Sequence, residues 1–345
     1  MKRFLFLYTE LAEYIVACMR ALSETNAEVH VVRWPVNSEA PFNFELSERL
    51  TFYERGDFDE QGLIALAEKI NPHAIFTSGW VDRGYLAVSK AMKNRCNTVL
   101  LLDNQYKGTI KQRIQALRSP FYLKRIFSHA WVPGEPQALY ARKLGFSDDH
   151  VFTGIYCADT SVFKAFYASR SEEAPKKFIF IGRYLPFKGI VELWSAFKRI
   201  QHEFPEWELN CLGTGDMWEQ RVQSAGINHA GFVQPKDLPE WLSQSGVFVL
   251  PSHREPWGVV VHELAEAGFP MICSDAVGAA TMFLEENQNG YFFQGGNEQS
   301  LYEAMRKMAL LSTDERRKMG EKSHELAEKL TTADWVKTAL TLARD

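Results

Sequence analysis

The sequence lacks several features that would assign a protein to a class at once. Its 345 residues contain no apolar run near the roughly 18 residues that a membrane-spanning helix needs. The basic opening resembles a signal peptide, but its apolar run is only Phe4–Tyr8 and is followed by Glu10 and Glu13, so we expect no such leader. The formal net charge of -4 argues against nucleic-acid binding as the main role.

Cysteine is scarce and dispersed. The 5 cysteines form no C-x-x-C pair. An odd, scattered set is typical of reduced thiols in the core of a cytosolic protein, rather than of disulfides or a metal site. We therefore expect a cytoplasmic protein.

Short apolar runs alternate with amphipathic segments along the chain, in two successive halves. This βαβα pattern predicts an α/β fold with two doubly wound parallel sheets. The boundary between them is expected near 165–176, around the polar stretch 169–177. The predicted helices of the second half include Met217–Ala225. Ligands of such sheets bind beyond the carboxyl ends of the strands, so the motifs that follow strands are the candidate site.

The most informative stretch is SHREPWGVVVHELAEAG, residues 252–268. It follows an apolar run, Gly246–Leu250, that predicts a buried strand. Pro256 predicts the start of a helix, because the helix does not need the N–H that proline lacks. Residues 258–260 would then lie in the first turn, where unpaired amides and the helix dipole favour a phosphate group.

Two carboxylates flank this predicted anion site. Glu255 and Glu263 have seven residues between them. An ionised carboxylate only accepts hydrogen bonds, so it suits sugar hydroxyls better than phosphate, and the two together suggest a nucleotide sugar. The alternative is that Glu255 only complements the helix dipole and Glu263 lies on a solvated helix face.

Two further loops follow predicted strands. GRYLPFKG, residues 182–189, places Arg183 and Lys188 in a glycine-bounded loop that could hold a diphosphate, although a basic surface turn would look similar. GTGD, residues 213–216, could bring backbone close to a ligand or form a plain turn. It does not complete a dinucleotide fingerprint, because Trp218 occupies the third glycine position.

These motifs, in this order, resemble the C-terminal half of family 4 retaining glycosyltransferases of the GT-B type. The matching segments are Gly182–Gly189, Gly213–Gly215, Gly231–Val233 and Pro251–Glu263. The resemblance implies two Rossmann-like domains facing a cleft. It places the N-terminal domain at 1–165, the nucleotide-sugar domain at 166–328, and a C-terminal helix at 329–345 that crosses back to the first domain.

The resemblance also implies roles for individual residues. Arg183 and Lys188 would hold the diphosphate and Glu255 the donor sugar, so these three are the candidate catalytic residues. Glu263 would bind the ribose. The implied donor-binding residues are Gly182, Gly213, Gly215, Phe232, Val233, Pro256, Trp257, Gly258, Val259, Val260 and Glu263.

The N-terminal half departs from the family pattern. The loop after the first strand, Tyr8–Glu10, lacks the glycines that the family often has there. Asp103 and Asn104 stand where the family often places a histidine. The candidate residues on the acceptor or sugar side are Thr9, Glu10, Asp103 and Asn104.

The expected activity is a retaining transfer from a nucleoside-diphosphate sugar, a UDP-sugar rather than a GDP-sugar, to a glycan or lipid-linked acceptor in cell-surface polysaccharide synthesis. The resemblance implies no cofactor and no metal. A D-x-D triplet at residues 57–59 is interpreted as a helix cap, with Asp57 and Glu60 as a capping box. Two alternatives stay open: a non-catalytic subunit that binds nucleotide sugars, and a UDP-sugar epimerase of the same fold.

A basic segment, Lys107–Phe127, contains no acidic residue. Ile110, Ile114 and Leu117 have helical spacing, which predicts a helix packed on the N-terminal sheet with a solvated basic face. The alternative is a patch that binds an anionic membrane surface, on the inner face of the plasma membrane.

Overall fold

The computed structural model describes residues 1–35, 48–170 and 175–344. The prolines and polar residues of the segment 35–46 predict a loop, and most of that loop lies outside the described residues, as does part of the polar stretch 169–177. The chain divides into two compact units. The first comprises Met1–Cys157 and Leu330–Asp345, and the second comprises Ala158–Lys329.

The first unit is built on a parallel sheet. Among the described residues its strands have the order β3-β2-β1-β4-β5-β6-β7. The strands are β1 (Lys2–Tyr8), β2 (Ala27–Arg33), β3 (Leu50–Glu54), β4 (Ala74–Ser78), β5 (Asn97–Leu101), β6 (His129–Val132) and β7 (Val151–Thr153). The order reverses between β1 and β4, and this reversal is where doubly wound sheets open a crevice for ligands.

Helices connect these strands. They are α1 (Glu13–Ser23), α2 (Glu60–Ile70), α3 (Arg83–Met92), α4 (Ile110–Arg118), α5 (Leu123–Ile126) and α6 (Glu135–Lys143). The aliphatic and aromatic side chains of β1 are buried, as expected for a central strand covered on both faces. The Tyr85 hydroxyl contacts the carbonyl oxygens of Tyr8 and Val32, at 3.0 and 3.2 Å, and so ties α3 to the switch point of this sheet.

The second unit repeats this plan. Its described strands have the order β10-β9-β8-β11-β12-β13, again parallel, with the reversal between β8 and β11. The strands are β8 (Lys177–Ile181), β9 (Glu208–Leu212), β10 (Ile227–Gly231), β11 (Val247–Leu250), β12 (Met271–Ser274) and β13 (Gly290–Phe293). The helices are α7 (Thr160–Ser169), α8 (Ile190–Glu203), α9 (Leu238–Ser243), α10 (Val259–Glu266), α11 (Ala280–Phe283), α12 (Glu298–Leu310) and α13 (Thr313–Ala327). The predicted pair of doubly wound α/β sheets is thus confirmed.

The division between the units differs from the predicted boundary. Residue 165 lies inside α7, and the whole of α7 belongs to the second unit. Asp159 caps this helix by accepting a hydrogen bond from the Ser161 N–H at 3.3 Å. The polar composition after residue 169 suggested a linker, whereas the structural division falls before α7.

The helix expected over Met217–Ala225 is wrong. Only a single 3-10 turn, Trp218–Gln220, forms there. The Trp218 carbonyl, which an α-helix would pair with the N–H of residue 222, instead accepts from the Arg221 N–H at 3.2 Å and from the Arg221 guanidinium group at 2.8 Å. The backbone of Arg221 is extended, so the turn ends there.

The last helix, α14 (Thr332–Thr341), belongs to the first unit. Its Trp335 is fully buried and lies against Phe6 and Trp131, with ring centroids 6.0 and 5.0 Å apart. The Trp335 indole N–H donates to the Ile155 carbonyl at 2.9 Å. The core of the first unit thus contains side chains from both ends of the chain.

Candidate functional site

Three loops of the second unit pack on one another beyond the carboxyl ends of β8, β9 and β11. The Tyr184 N–H donates to the Thr214 carbonyl at 2.8 Å, which joins the first two loops. The His253 N–H donates to the Phe187 carbonyl at 2.8 Å, which joins the first loop to the third. Motifs that are far apart in the sequence therefore form one contiguous surface.

The glycines of these loops are required by that packing. Gly213 has φ +132, and a Cβ there would lie 2.0 Å from the Gly182 carbonyl oxygen. Gly189 has φ +68, and its Cβ would lie 2.1 Å from the Pro251 carbonyl oxygen. At both positions the backbone is in the left-handed region and a neighbouring carbonyl oxygen occupies the place of a Cβ, so each of these two features alone favours glycine. The sequence interpretation assigned Gly213 to ligand approach, which stays a prediction, and the structure shows that Gly213 also permits contact between two loops.

Helix α10 begins later than predicted. It starts at Val259 rather than Pro256, with Gly258 as its N-cap in the left-handed region at φ +88. The carbonyls of Glu255 and Trp257 accept hydrogen bonds from residues 278 and 279, at 3.0 and 2.9 Å. Residues 255–257 are thereby held extended, and the helix can begin only after them.

The N-terminus of α10 still presents backbone amides. The first helical hydrogen bond runs from the Val261 N–H to the Gly258 carbonyl at 3.0 Å. The N–H groups of Val259 and Val260 precede it, in the position where an N-terminus can bind an anion. Gly258, predicted to share the first turn, lies just outside the helix.

Lys188 and Glu255 form an ion pair beside this N-terminus. Their side chains are 14% and 11% exposed, so the pair is largely shielded from water yet reachable. The Ser252 hydroxyl also donates to the Glu255 carboxylate, at 3.2 Å. The two side chains, which the resemblance gave to diphosphate and sugar, contact each other in this structure. A bound ligand could satisfy each of them separately, with phosphate for the cation and hydroxyls for the carboxylate.

Glu263 lies on α10, one turn beyond its start, and is partly buried. Burial raises the pKa of its carboxyl group to about 7, and the negative charge of Asp159 adds to the shift. The group is thus partly protonated at neutral pH. A ligand that donates hydrogen bonds to this carboxyl group would favour its ionised form.

The remaining donor-side candidates have mixed surroundings. Arg183, Gly182 and Gly215 lie in the first two loops, and a Cβ at Gly215 would lie 2.8 Å from the Tyr184 carbonyl oxygen. Phe232 and Val233 follow β10 and are partly exposed, as is Pro256. Trp257 is only 2% exposed and lies edge-on to Phe283, with ring centroids 6.5 Å apart. It therefore packs in the core beneath the loop.

An aromatic cluster that the sequence interpretation missed supports the second loop. The buried Tyr184 hydroxyl lies 2.8 Å from His229 Nδ1, and the Tyr184 ring lies 5.4 Å from that of Trp218. Burial lowers the pKa of His229, which keeps its imidazole neutral. Trp218, which breaks the dinucleotide fingerprint, is thus part of this support. No local sequence pattern predicts that these residues lie close together.

The first-unit candidates lie at the carboxyl ends of β1, β4 and β5. The Thr9 N–H donates to the Ser78 hydroxyl at 2.9 Å, and the Asn104 amide donates to the Asp103 carboxylate at 3.1 Å. Burial raises the pKa of Asp103, and the charge of Glu10 adds to that shift. The structure therefore brings Thr9, Glu10, Asp103 and Asn104 to one edge of the sheet.

Tyr8 also lies at this edge, although no role was predicted for it. It is 3% exposed, and its hydroxyl has no hydrogen-bond partner among the described residues. Burial raises its pKa well above the ordinary value, so the hydroxyl stays protonated. The Tyr8 hydroxyl, which has no hydrogen-bond partner among the described residues, thus lies at the same edge as Glu10 and Asp103.

The described residues contain no group of three or more His, Cys, Asp or Glu side chains placed to hold a metal ion. Within the D-x-D triplet, Asp57 lies in a 3-10 turn, and it is Asp59 that caps α2, accepting from the Gly62 N–H at 2.7 Å. A residue of the triplet does cap α2, as predicted, but the capping residue is Asp59 rather than Asp57.

The fold places the chain among GT-B proteins. The structure of Anabaena Alr3699/HepE in complex with UDP has the same fold: the match covers 99% of this chain and 99% of that chain, with a TM-score of 0.74 and 13% identity. This likeness defines the architecture.

Sequence similarity is concentrated in the second unit. Residues 163–326 match the family described as glycosyl transferases group 1. Spore coat protein SA of Bacillus subtilis is 29% identical over 164 residues, which are 44% of this chain and 43% of that protein. Glycogen synthase of Mycobacterium tuberculosis is 28% identical over 120 residues, 33% of this chain and 29% of that protein.

These matches confirm the predicted glycosyltransferase resemblance for the part of the chain that carries the three loops. The chain spans less than half of the length of these two relatives. The narrower assignment to the retaining family 4 stays a prediction, as do the roles of the individual site residues.

Proposed function

We propose that this protein is a retaining, metal-independent glycosyltransferase that uses a nucleoside-diphosphate sugar, a UDP-sugar rather than a GDP-sugar. The observation that carries the proposal is the Lys188–Glu255 pair at the start of α10. It combines a cation, a carboxylate and backbone amides in the segment that matches the glycosyl transferases group 1 family. We propose a glycan or lipid-linked acceptor, in cell-surface polysaccharide synthesis.

The positively and negatively charged residues of the site would have different roles. Arg183, Lys188 and the amides of Val259 and Val260 would offset the charge that develops on the departing diphosphate, which is preorganised electrostatic stabilisation. Because these groups supply positive charge from the chain itself, the proposal needs no metal ion. Glu255, released from Lys188 by the ligand, would accept from sugar hydroxyls.

Glu263 would hold the ribose once ionised. Its raised pKa means that binding of a hydroxyl-bearing ligand near neutral pH should release part of a proton. The acidic edge of the first unit, with Glu10 and Asp103, is the proposed acceptor or sugar side. Acceptor hydroxyls suit such groups, because carboxylates accept hydrogen bonds and protonated carboxyls donate them.

The proposal is tested in two stages. A thermal-shift panel of UDP- and GDP-sugars first identifies the donor, because a specific ligand stabilises the folded state by mass action. The stabilising donor is then incubated with candidate acceptors, with and without EDTA, and the anomeric configuration of the product is determined by NMR. A new glycoside with the donor's anomeric configuration, formed also in EDTA, supports the proposal.

Other products identify the alternatives. An isomerised nucleotide sugar would indicate an epimerase, and tight binding without turnover would indicate a non-catalytic subunit. The Glu255→Gln variant is the internal control, because loss of the carboxylate should abolish turnover while the folded state persists. Absence of stabilisation by every nucleoside diphosphate tested would contradict the whole proposal.

A further inference from the structure

Helix α4 exposes its apolar side. Ile110, Ile114 and Leu117 are 78%, 48% and 76% exposed, and no residue of this helix is buried. Their helical spacing predicted that these three residues pack against the N-terminal sheet. That prediction is wrong, because all three side chains face solvent.

The orientation of α4 is held by its polar side. The Gln112 amide donates to the Gln105 carbonyl at 2.7 Å, and the Tyr140 hydroxyl donates to the Gln115 side-chain oxygen at 2.8 Å. Thr109 caps the helix through the Gln112 N–H at 3.3 Å. The helix therefore turns hydrogen-bonding glutamines toward the unit and aliphatic side chains toward solvent, the reverse of an ordinary surface helix.

The apolar surface continues past the helix. Phe121 and Tyr122 are 72% and 51% exposed, and with Trp80 and α4 they line a groove of about 1090 Å³. We call this exposed face of residues 110–122 the α4 surface. Contiguous apolar patches of this kind on soluble proteins mark interaction sites, because exposing them to water is unfavourable.

Basic side chains border the α4 surface on both sides. Successive helical residues are about 100° apart, which places Lys111 and Arg118 on one flank of the aliphatic stripe and Arg113 on the other. All three are exposed. Residues 107–127 carry six basic and no acidic residues, in a chain of net charge -4.

We propose that the α4 surface docks this protein on an anionic lipid bilayer, with the apolar stripe in the interface and the basic flanks on the lipid headgroups. An amphipathic helix with aliphatic and aromatic residues between cations has the composition of an interfacial helix. A second copy of the chain fits less well, because two such surfaces would bring like charges together. No helix among the described parts of the chain is long and apolar enough to cross a membrane, so the contact is on the surface.

The charge contribution is tested by cosedimentation with vesicles of phosphatidylglycerol and phosphatidylcholine, or of phosphatidylcholine alone. Wild type should bind only the anionic vesicles, and more weakly as salt screens the charges. Each basic residue at an anionic surface strengthens binding by about fivefold, so the variant K111Q/R113Q/R118Q should bind on the order of 100-fold more weakly. The matched control K90Q/K198Q/K337Q removes three exposed lysines elsewhere and should bind like wild type. Equal losses in both variants would overturn a localised surface.

The apolar contribution is tested with a fluorescent probe. All 5 native cysteines are buried, so a single introduced cysteine can be labelled selectively. An environment-sensitive dye on Leu117→Cys should shift to the blue with anionic vesicles, whereas the same dye on Leu310→Cys, an exposed leucine of α12, should not. Absence of vesicle binding by wild type at low salt would overturn the proposal. A blue shift that appears without vesicles and depends on protein concentration would also overturn it, and would indicate a dimer instead. Neither readout depends on glycosyl transfer.

Discussion

The partly buried carboxyl group of Glu263 leads to a quantitative prediction about stability. Its pKa is raised from an ordinary 4.5 to about 7, a difference of about 2.5 units, and each unit corresponds to about 1.4 kcal/mol. The folded state binds the proton more tightly than the unfolded state, so stability falls as pH rises from about 4.5 to about 7, and is then constant. The full loss from this group is about 3 kcal/mol.

Glu263→Gln should recover that loss, because an amide of the same shape cannot ionise. We expect the variant to be up to about 3 kcal/mol more stable than wild type at pH 8 and no more stable at pH 4.5. The measurement is urea denaturation at pH 4.5, 6 and 8 without ligand. At the same time the variant should bind free UDP at least about tenfold more weakly, because an ionised acceptor makes the stronger hydrogen bonds.

Glu266 provides a matched control on the same helix. Burial also raises its pKa to about 7, and its side chain is 0% exposed, 3.7 Å from the Lys164 ammonium group. Glu266→Gln should therefore stabilise the protein at pH 8, by less than Glu263→Gln because an ion pair is lost, and should leave UDP affinity unchanged. A Glu263→Gln variant with wild-type stability at pH 8 would refute the burial argument. Wild-type affinity for UDP in that variant would refute the ribose role.

Four other substitutions test the loops. Arg183→Ala and Lys188→Ala should each lower turnover by roughly 10²–10³-fold in steady-state release of UDP, and near-normal rates in both would remove the diphosphate role. Glu255→Ala should spare the affinity for free UDP and weaken that for the intact UDP-sugar in isothermal titration, so equal losses would contradict the division of roles. Gly189→Ala should destabilise the protein by at least about 1–3 kcal/mol, because alanine is strained in a left-handed backbone and its Cβ would lie 2.1 Å from the Pro251 carbonyl oxygen. An unchanged melting temperature of this variant would argue against the packing of Gly189 on Pro251.

The alternation of strands and helices could be predicted because the residues that determine each strand or helix lie within that element. The sequence predicts a strand over Lys177–Ile181 and a helix over Ile190–Glu203, and β8 and α8 have these bounds. A continuous apolar run and a 3.6-residue period are each visible within one segment. The three loops could be located for the same reason, because each follows such a run. Their mutual contacts could not, since the partners lie tens of residues apart.

The error in the start of α10 has a non-local cause. The carbonyls of Glu255 and Trp257 accept hydrogen bonds from residues 278 and 279, which belong to a later segment of the chain. Helix α4 shows the same limit for orientation. Its period predicted an amphipathic helix correctly, but the side that faces inward depends on the Tyr140 hydroxyl, 25 residues away in sequence from Gln115.

The return of the chain to the first unit has a consequence for synthesis. Residues 158–329 form one continuous stretch, so the second unit needs no residue made after Lys329. The first unit does need later residues, because Trp335 packs between Phe6 and Trp131. The unit whose synthesis begins first therefore has an aromatic core that stays incomplete until α14 has been made.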